Sequence, residues 1–337
     1  MDGHSMSGTI PGLVDGFGRR ITYVRLSVTD RCDLRCRYCM SERMQFLPKS
    51  ELMTLEELAE LAAILVDRGV RRIRLTGGEP LVRRNILWLV ETIGHRLGDG
   101  LDEITMTTNA TQLAPIAQRL RECGVRRINI SLDSLNEDRF RAITRRGDLR
   151  QVLGGIAAAR RAGLAVKINM VALKDINEDE IEAMVAWCGE QGFGLTLIET
   201  MPLGDVEGDR TDQYLPLDAV KRRLQERYSL IPSLHRTGGP ARYFDVVETG
   251  GRIGFITPMT NNFCDGCNRI RITATGTIYG CLGHDQRVEL RDAMRSGARD
   301  AVHRALDAVM AAKPRRHDFR IDAARPAVAR HMSVTGG

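Results

Sequence analysis

Six of the eight cysteines in this 337-residue chain fall into two close groups. Cys32, Cys36 and Cys39 have the spacing C-x3-C-x2-C. Three thiolates are one short of a closed four-ligand site, and no histidine lies nearby in the sequence. A 4Fe-4S cluster held this way keeps one iron open to a substrate or cofactor, which is a catalytic arrangement. Cys264, Cys267 and Cys281 form C-x2-C-x13-C, and His284 lies three residues beyond Cys281. Ligand chemistry leaves both a Cys3His zinc and an iron-sulfur cluster open there. Arg269 and Arg271 beside the group favour the cluster, because a closed structural zinc needs no cations. The remaining thiols, Cys123 and Cys188, sit among apolar residues at helical spacing and read as core.

The elements that must carry these groups are legible from periodicity. Six strand-like runs, at residues 23–29, 72–76, 103–109, 127–133, 165–171 and 195–201, alternate with helical stretches, so parallel strands with helices outside are expected. Thr54 with Glu57, and Asn177 with Glu180, have capping-box spacing ahead of two of the helices. The strands themselves alternate: Val24, Leu26 and Val28 interleave with Arg25, Ser27 and Thr29, and Val166, Ile168 and Met170 with Lys167 and Asn169. A parallel sheet covered on both faces would read as continuous apolar runs instead. The polar face must therefore line a hydrated interior, as in a barrel or partial barrel. Arg25, Arg74 and Lys167 would share that interior. Cations gathered in one lumen are costly unless an anion neutralises them, which predicts a polyanionic substrate. The alternative is that Asp133, Glu79 or Glu199 pairs with them.

Composition excludes several classes. Eight cysteines are too dilute for a disulfide scaffold, and a reducing, cytoplasmic location is the expectation. No apolar run approaches the ~18 residues of a membrane span, and without an apolar stretch near residue 1 no secretory signal is expected. The 49 Lys+Arg against 43 Asp+Glu give a net charge of +6, dispersed rather than gathered into a nucleic-acid stripe. The expected organisation is a mobile leader over residues 1–20, the barrel over 21–230, a C-terminal segment over 231–325 and a flexible tail over 326–337.

The run from Cys32 to Cys39, with Tyr38 just before the third cysteine, resembles the signature of the radical S-adenosylmethionine superfamily. Thr76, Gly77, Gly78, Glu79 and Pro80 resemble its methionine-binding loop. Residues 23–30, 74–80, 129–134, the second cysteine group with Asn268 to Arg271, and the terminal Gly336 and Gly337 narrow the likeness to the MoaA-type GTP 3′,8-cyclase family. The resemblance runs from about residue 20 to the C-terminus.

It implies an α/β fold, a partial (open) TIM-type barrel of about six βα units with a C-terminal α+β segment carrying a second cluster. It implies two 4Fe-4S clusters, on Cys32, Cys36 and Cys39 and on Cys264, Cys267 and Cys281. Tyr38, Gly77, Gly78, Glu79, Ser131 and Met201 would contact S-adenosylmethionine. Arg25, Arg74, Thr107, Lys167, Arg269, Ile270 and Arg271 would bind GTP. Catalysis would involve Arg25, Arg269, Arg271 and the Gly336–Gly337 tail. The implied lyase uses a 5′-deoxyadenosyl radical to abstract the ribose C3′ hydrogen of GTP and joins C3′ to guanine C8. The product is (8S)-3′,8-cyclo-7,8-dihydroguanosine 5′-triphosphate, an early step of molybdenum cofactor biosynthesis. The implied partners are an electron donor such as flavodoxin or ferredoxin and a downstream cyclic pyranopterin monophosphate synthase. A homodimer is compatible, with no membrane or nucleic acid.

Two positions depart from the family pattern: Thr196 stands where Arg is common and Ala110 where Gly is usual, with Lys174 and Arg210 as replacement cations. Two other readings remain, a radical enzyme modifying a peptide with an auxiliary cluster and a zinc-containing nucleic-acid binder. The first shares the cysteine motif but gives no reason for so many inward cations.

Overall fold

A computed structural model describes residues 11–204, 210–261, 263–320 and 326–336. The six expected strands form as β1 (Tyr23–Ser27), β2 (Arg72–Thr76), β3 (Glu103–Thr108), β4 (Arg127–Ser131), β5 (Ala165–Ala172) and β6 (Gly194–Glu199). They pair in parallel in chain order. The helices α1 (Leu55–Asp67), α2 (Ile86–Gly94), α3 (Ala117–Glu122), α4 (Glu137–Thr144), α5 (Leu149–Arg161) and α6 (Ile181–Gln191) lie between them. Burial explains the strand alternation: Val24, Leu26, Ile73, Leu75, Ile128, Ile130, Ile168 and Met170 share one core with Leu58, Leu61 and Leu65 of α1 and Met184 and Val185 of α6. The opposite face carries Arg25, Arg74, Asn129, Ser131 and Lys167 into a cavity. Cys188 is buried in the core and Cys123 packs against it.

The chain after β6, expected as a C-terminal segment from residue 231, adds its strands to the same sheet. It supplies β7 (Leu230–Pro232), β8 (Arg242–Val246), β9 (Gly251–Ile256), β10 (Arg269–Ile272), β11 (Thr277–Tyr279) and β12 (Arg287–Glu289). These extend both edges of one sheet, ordered β12-β11-β10-β1-β2-β3-β4-β5-β6-β9-β8-β7. β9 runs parallel to β6 and β10 parallel to β1. The edges of this open sheet are thereby moved to two three-residue strands, β12 and β7, which offer little backbone for further pairing. The texture of short runs and glycine turns was legible, but the partners of those runs lie up to 250 residues away and leave no local signal.

Three other expectations are corrected. Of the expected leader, residues 1–10 lie outside the described residues and residues 11–20 are packed against the rest of the chain. Leu13 is buried, its amide donates to Arg68 O at 3.1 Å, and Arg19 donates to Asp15, Cys264 O, Pro314 O and Arg315 O. Residues 326–336 are seated rather than frayed. Val328 bridges to Leu203, and Ser333 and Thr335 are fully enclosed. Thr54 and Glu57 form the capping box of α1, but Asn177 and Glu180 do not form a second one. Asn177 is buried, and its amide group donates to Asp133 O and Val171 O, both at 2.9 Å, while accepting from the Leu173 amide. Glu180 accepts from Ser134 and the Leu135 amide. The polar spacing that would start a helix instead staples the end of β5 to the loop after β4.

Candidate active site

The first cysteine group lies on the loop leaving β1, and neighbouring loops hold that loop by its backbone. The Arg35 and Arg37 amides donate to Thr144 O and Ile143 O at the end of α4. Asp33 accepts from Asn109 Nδ2 at 2.7 Å and Thr111 Oγ1 at 2.5 Å, both from the loop after β3. Gly77 and Gly78 press against the same segment from β2. A Cβ at Gly77 would stand 2.5 Å from Thr29 O, and one at Gly78 2.4 Å from Arg31 O. Both positions require glycine, since any side chain would push the cysteine loop off its strand. The Gly78 and Glu79 amides complete the contact by donating to Thr29 O and Arg31 O.

Glu79 is enclosed, with a carboxylate that accepts from the Leu81 amide, Thr108 Oγ1 and the Asn109 amide at 2.6–2.9 Å. Burial outweighs these bonds and raises its carboxyl to about 7. Tyr38 donates to Asp133 Oδ2 at 2.6 Å, and the Val171 amide donates to Asp133 Oδ1. Burial raises Asp133 to about 6 and Tyr38 well above the usual phenol range. Tyr38, Gly77, Gly78, Glu79, Ser131 and Met201 all face the cavity bordered by Cys32, Cys36 and Cys39.

The cations meet on the neighbouring wall. Register places Arg271 beside Arg25 and Arg25 beside Arg74 across β10, β1 and β2, so three guanidinium groups emerge in one row. Arg269, one pleat along, and Lys167 on β5 line the same cavity, as do Thr107 and Ile270. Like charges directly opposite one another in a sheet repel. The acids offered as partners are committed elsewhere: Asp133 to Tyr38, Glu79 to the β3 loop, and Glu199 to Leu217, Met259 and Thr260. Among the described residues no carboxylate forms a salt bridge with Arg25, Arg74, Lys167, Arg269 or Arg271. Burial and then the Arg74 charge lower Arg25 to about 10. Burial, with Arg25 and Arg269 next, pulls Arg271 well below its ordinary value, and burial with Arg74, Arg127 and Arg25 does the same to Lys167. This wall is built to receive negative charge.

The second cysteine group closes the cavity beyond these arginines. Cys264 and Cys267 lie in the turn before β10 and Cys281 just after β11. His284 turns away, with Nε2 2.9 Å from Arg316 O. Among the described residues no three His, Cys, Asp or Glu side chains converge on a single-ion site. A cube-shaped cluster fits this donor set better than one zinc, because it takes each thiolate on a separate iron. None of the eight cysteines is in a disulfide. Burial lifts Cys36, Cys39 and Cys281 above the usual thiol range. Cys267 falls below it, since Arg269 and Lys313 outweigh its burial. Lys313, Arg19 and Arg330 all brace this group, and none stands in a motif that the sequence could flag.

The C-terminal tail reaches both groups. Met332 and Ser333 line the cavity alongside Cys39. Arg271 donates to Thr335 O at 3.2 Å and also to Gly336 O, which lies 3.4 Å from Arg25 Nη1. Gly336 has φ of 75°, and a Cβ there would lie 1.9 Å from Thr76 Oγ1. Gly337 lies outside the described residues. Thr196, where the resemblance led to an expected Arg, is buried between Asn169 and Gly254. A Cβ at Gly254 would stand 2.8 Å from the Tyr243 ring, which fills the adjoining space. Lys174 is exposed, and so does not replace the missing cation. Ala110 takes the left-handed conformation expected of the family's glycine, φ 64°.

Residues 26–188 match the Radical SAM superfamily and residues 193–319 match Molybdenum Cofactor Synthesis C. A GTP 3′,8-cyclase of Erythrobacter litoralis is 60% identical over 327 residues, covering 96% of this chain and 98% of the relative. One of Rhizobium leguminosarum bv. trifolii is 56% identical over 328 residues, covering 96% and 94%. Among solved structures, Streptococcus suis SuiB bound to S-adenosylmethionine aligns with TM-score 0.57 at 15% identity, covering 93% of this chain and 77% of that one. anSMEcpe with bound AdoMet aligns with TM-score 0.58 at 15% identity, covering 84% and 82%. At such identities the structural likeness speaks for the partial-barrel fold alone. The full-length likeness to the two cyclases, on a chain whose paired cysteine groups flank one cation-lined lumen, places it in the GTP 3′,8-cyclase family of the radical S-adenosylmethionine superfamily.

Proposed function

We propose that the lumen binds GTP and S-adenosylmethionine between two 4Fe-4S clusters, and that the chain is a GTP 3′,8-cyclase acting early in molybdenum cofactor biosynthesis. The observation that carries this is the row of Arg271, Arg25 and Arg74, with Lys167 on β5 in the same cavity, none of them in a salt bridge with a carboxylate among the described residues. A triphosphate supplies the missing negative charge, and guanidinium forks grip its oxygens in pairs.

Cys32, Cys36 and Cys39 would hold the first cluster and Cys264, Cys267 and Cys281 the second, each leaving one iron without a protein ligand. Bound there, the first cluster would supply the electron that cleaves S-adenosylmethionine to the hydrogen-abstracting radical; loss of the ribose C3′ hydrogen to it and C3′–C8 bonding would then leave a nucleobase radical that one further electron and a proton complete. The chain's own residues bind and orient. Tyr38 and Asp133, Gly77, Gly78 and Glu79 shape the wall beside the first group, with Ser131 and Met201 completing it. Arg25, Arg74, Lys167 and Arg271 hold the phosphates, while Thr107, Arg269 and Ile270 lie along the path toward the second group. The tail, with Gly336 O on Arg271 and Arg25, fixes two of the cations and keeps water from the reacting face. A one-electron donor such as flavodoxin or ferredoxin, a cyclic pyranopterin monophosphate synthase taking the product, a homodimeric assembly and a cytoplasmic location complete the reading. No helix among the described residues is long and apolar enough to cross a membrane.

The test is anaerobic. Reconstituted protein is incubated with reductant, S-adenosylmethionine and GTP deuterated at ribose C3′, and the 5′-deoxyadenosine is weighed. Deuterium in that product is the expected result. Unlabelled product formed equally fast without GTP would discard GTP and favour a peptide substrate.

A further inference from the structure

Each cysteine of the second group is braced by one cation from a distant part of the chain. Arg19, from the N-terminal turn, donates to Cys264 O at 2.7 Å. Arg330, from the tail, donates to Cys281 O at 3.3 Å and His284 O at 2.7 Å, and stacks 4.0 Å from the Tyr279 ring centroid. Lys313 differs from both in that it reaches a sulfur, with Nζ 3.6 Å from Cys267 Sγ. It follows the helix Arg299–Ala312, is 3% exposed, and also donates to Arg269 O at 3.0 Å and to Gly280 O. All three ammonium protons are thus directed, two to backbone carbonyls of β10 and the β11 turn and one to the thiol.

No carboxylate among the described residues pairs with Lys313. A buried ammonium with no counter-ion is expensive, and carbonyl dipoles offset only part of that cost. A cluster carrying three thiolates supplies the negative charge, and one-electron reduction adds one more. Donors and charges placed at cluster sulfurs raise the reduction potential.

We propose that Lys313 is a positioning residue for the second cluster: its ammonium donates to the Cys267 sulfur, holds one positive charge against the cluster and stabilises its one-electron reduced form. This rests on the reading of Cys264, Cys267 and Cys281 as cluster ligands. The same contact ties Cys267 to the Arg269 backbone, so the cluster and the arginine strand that follows it move together.

The test uses the full chain with Cys32→Ala, Cys36→Ala and Cys39→Ala, so that only the second group loads iron and sulfide. Iron per chain and the midpoint potential from an EPR-monitored titration are compared for Lys313, Lys313→Met, Lys313→Gln and Lys313→Arg. Loaded Lys313→Met and Lys313→Gln should be reduced at a more negative potential, and Lys313→Arg should return it toward the parent. Equal potentials in the loaded parent and the loaded neutral variants would overturn the proposal. If neither neutral variant holds iron while Lys313→Arg does, the positive charge is required for assembly and the proposal stands. If all three fail to load, Lys313 is only a tie between carbonyls and the proposal falls. A parent that takes up no iron at all would instead remove the second-cluster reading, a result separable from the others.

Discussion

The two cysteine groups face one lumen but are held in opposite ways. Cys32, Cys36 and Cys39 occupy one loop, and hydrogen bonds from the adjacent βα loops, through Asp33, Gly78 and Glu79, fix it on the strand that precedes it. Cys264, Cys267 and Cys281 are split across two turns on an added edge of the sheet, and Arg19, Lys313 and Arg330 hold them from three distant segments. The first group takes its backbone anchors from loops next to it in the sheet. The other depends on both chain ends closing over the barrel.

That contrast can be broken most severely by removing the thiols. Cys36→Ala should abolish 5′-deoxyadenosine formation, whereas Cys267→Ala should leave it and lose the cyclised nucleotide. Chromatography of both products from one reaction decides it, and loss of both products in both variants would deny that the groups have separate tasks. Gly336→Ala probes the tail's seat: the 1.9 Å clash with Thr76 must displace the carbonyl held by Arg271 and Arg25. A shift of about 1 Å at a reacting centre costs on the order of 100-fold. Product formation should therefore drop by about that factor, with iron content unchanged.

Arg271→Gln should weaken GTP binding roughly 10- to 100-fold, the loss of a charge-assisted bond worth about 1.5–3 kcal/mol. The same change should raise the melting temperature without GTP, because it removes a like charge beside Arg25. A lower melting temperature would show that the cations are offset within the protein after all. Lys167 gives the pH signature. Burial lowers its folded-state value well below that of the unfolded chain. Between those two values the unfolded state binds a proton that the native state does not, so stability without GTP should rise with pH across the window. GTP favours the charged amine, so its affinity should fall over the same window, and calorimetry of Lys167→Met should lose both slopes. The smallest effect is expected at Ala110, in the loop that holds Asp33. Ala110→Gly relieves about 1 kcal/mol of left-handed strain and gives up about 0.8 kcal/mol of buried methyl. Thermal melts should change by less than about 1 kcal/mol.

The legible part of this molecule was what repeats locally. Strand alternation placed Arg25, Arg74 and Lys167 on one inward face before any partner strand was known, because successive side chains of a strand point to opposite sides. Asn177 was misread for the converse reason: its spacing to Glu180 suits a helix cap, but in the fold its amide is taken by Asp133 O and Val171 O, carbonyls that sequence spacing cannot bring near. Residues 11–20 and the tail were misread similarly, since their contacts are not local: the Leu13 amide is taken by Arg68 O, and Gly336 O by Arg271 and Arg25.

The sequence by itself determined the cysteine spacings, the βα alternation and the inward cations, all set by covalent distance and by periods of 2 and 3.6 residues. Only the tertiary structure decided that β10 lies beside β1, so that Arg271 joins Arg25 and Arg74 in one row, and that Lys313 meets Cys267 while Gly336 meets Thr76. Those contacts join residues tens to hundreds of positions apart. They form when an open sheet covers its edges and buries its ends, a free-energy balance over the whole chain that no local pattern encodes.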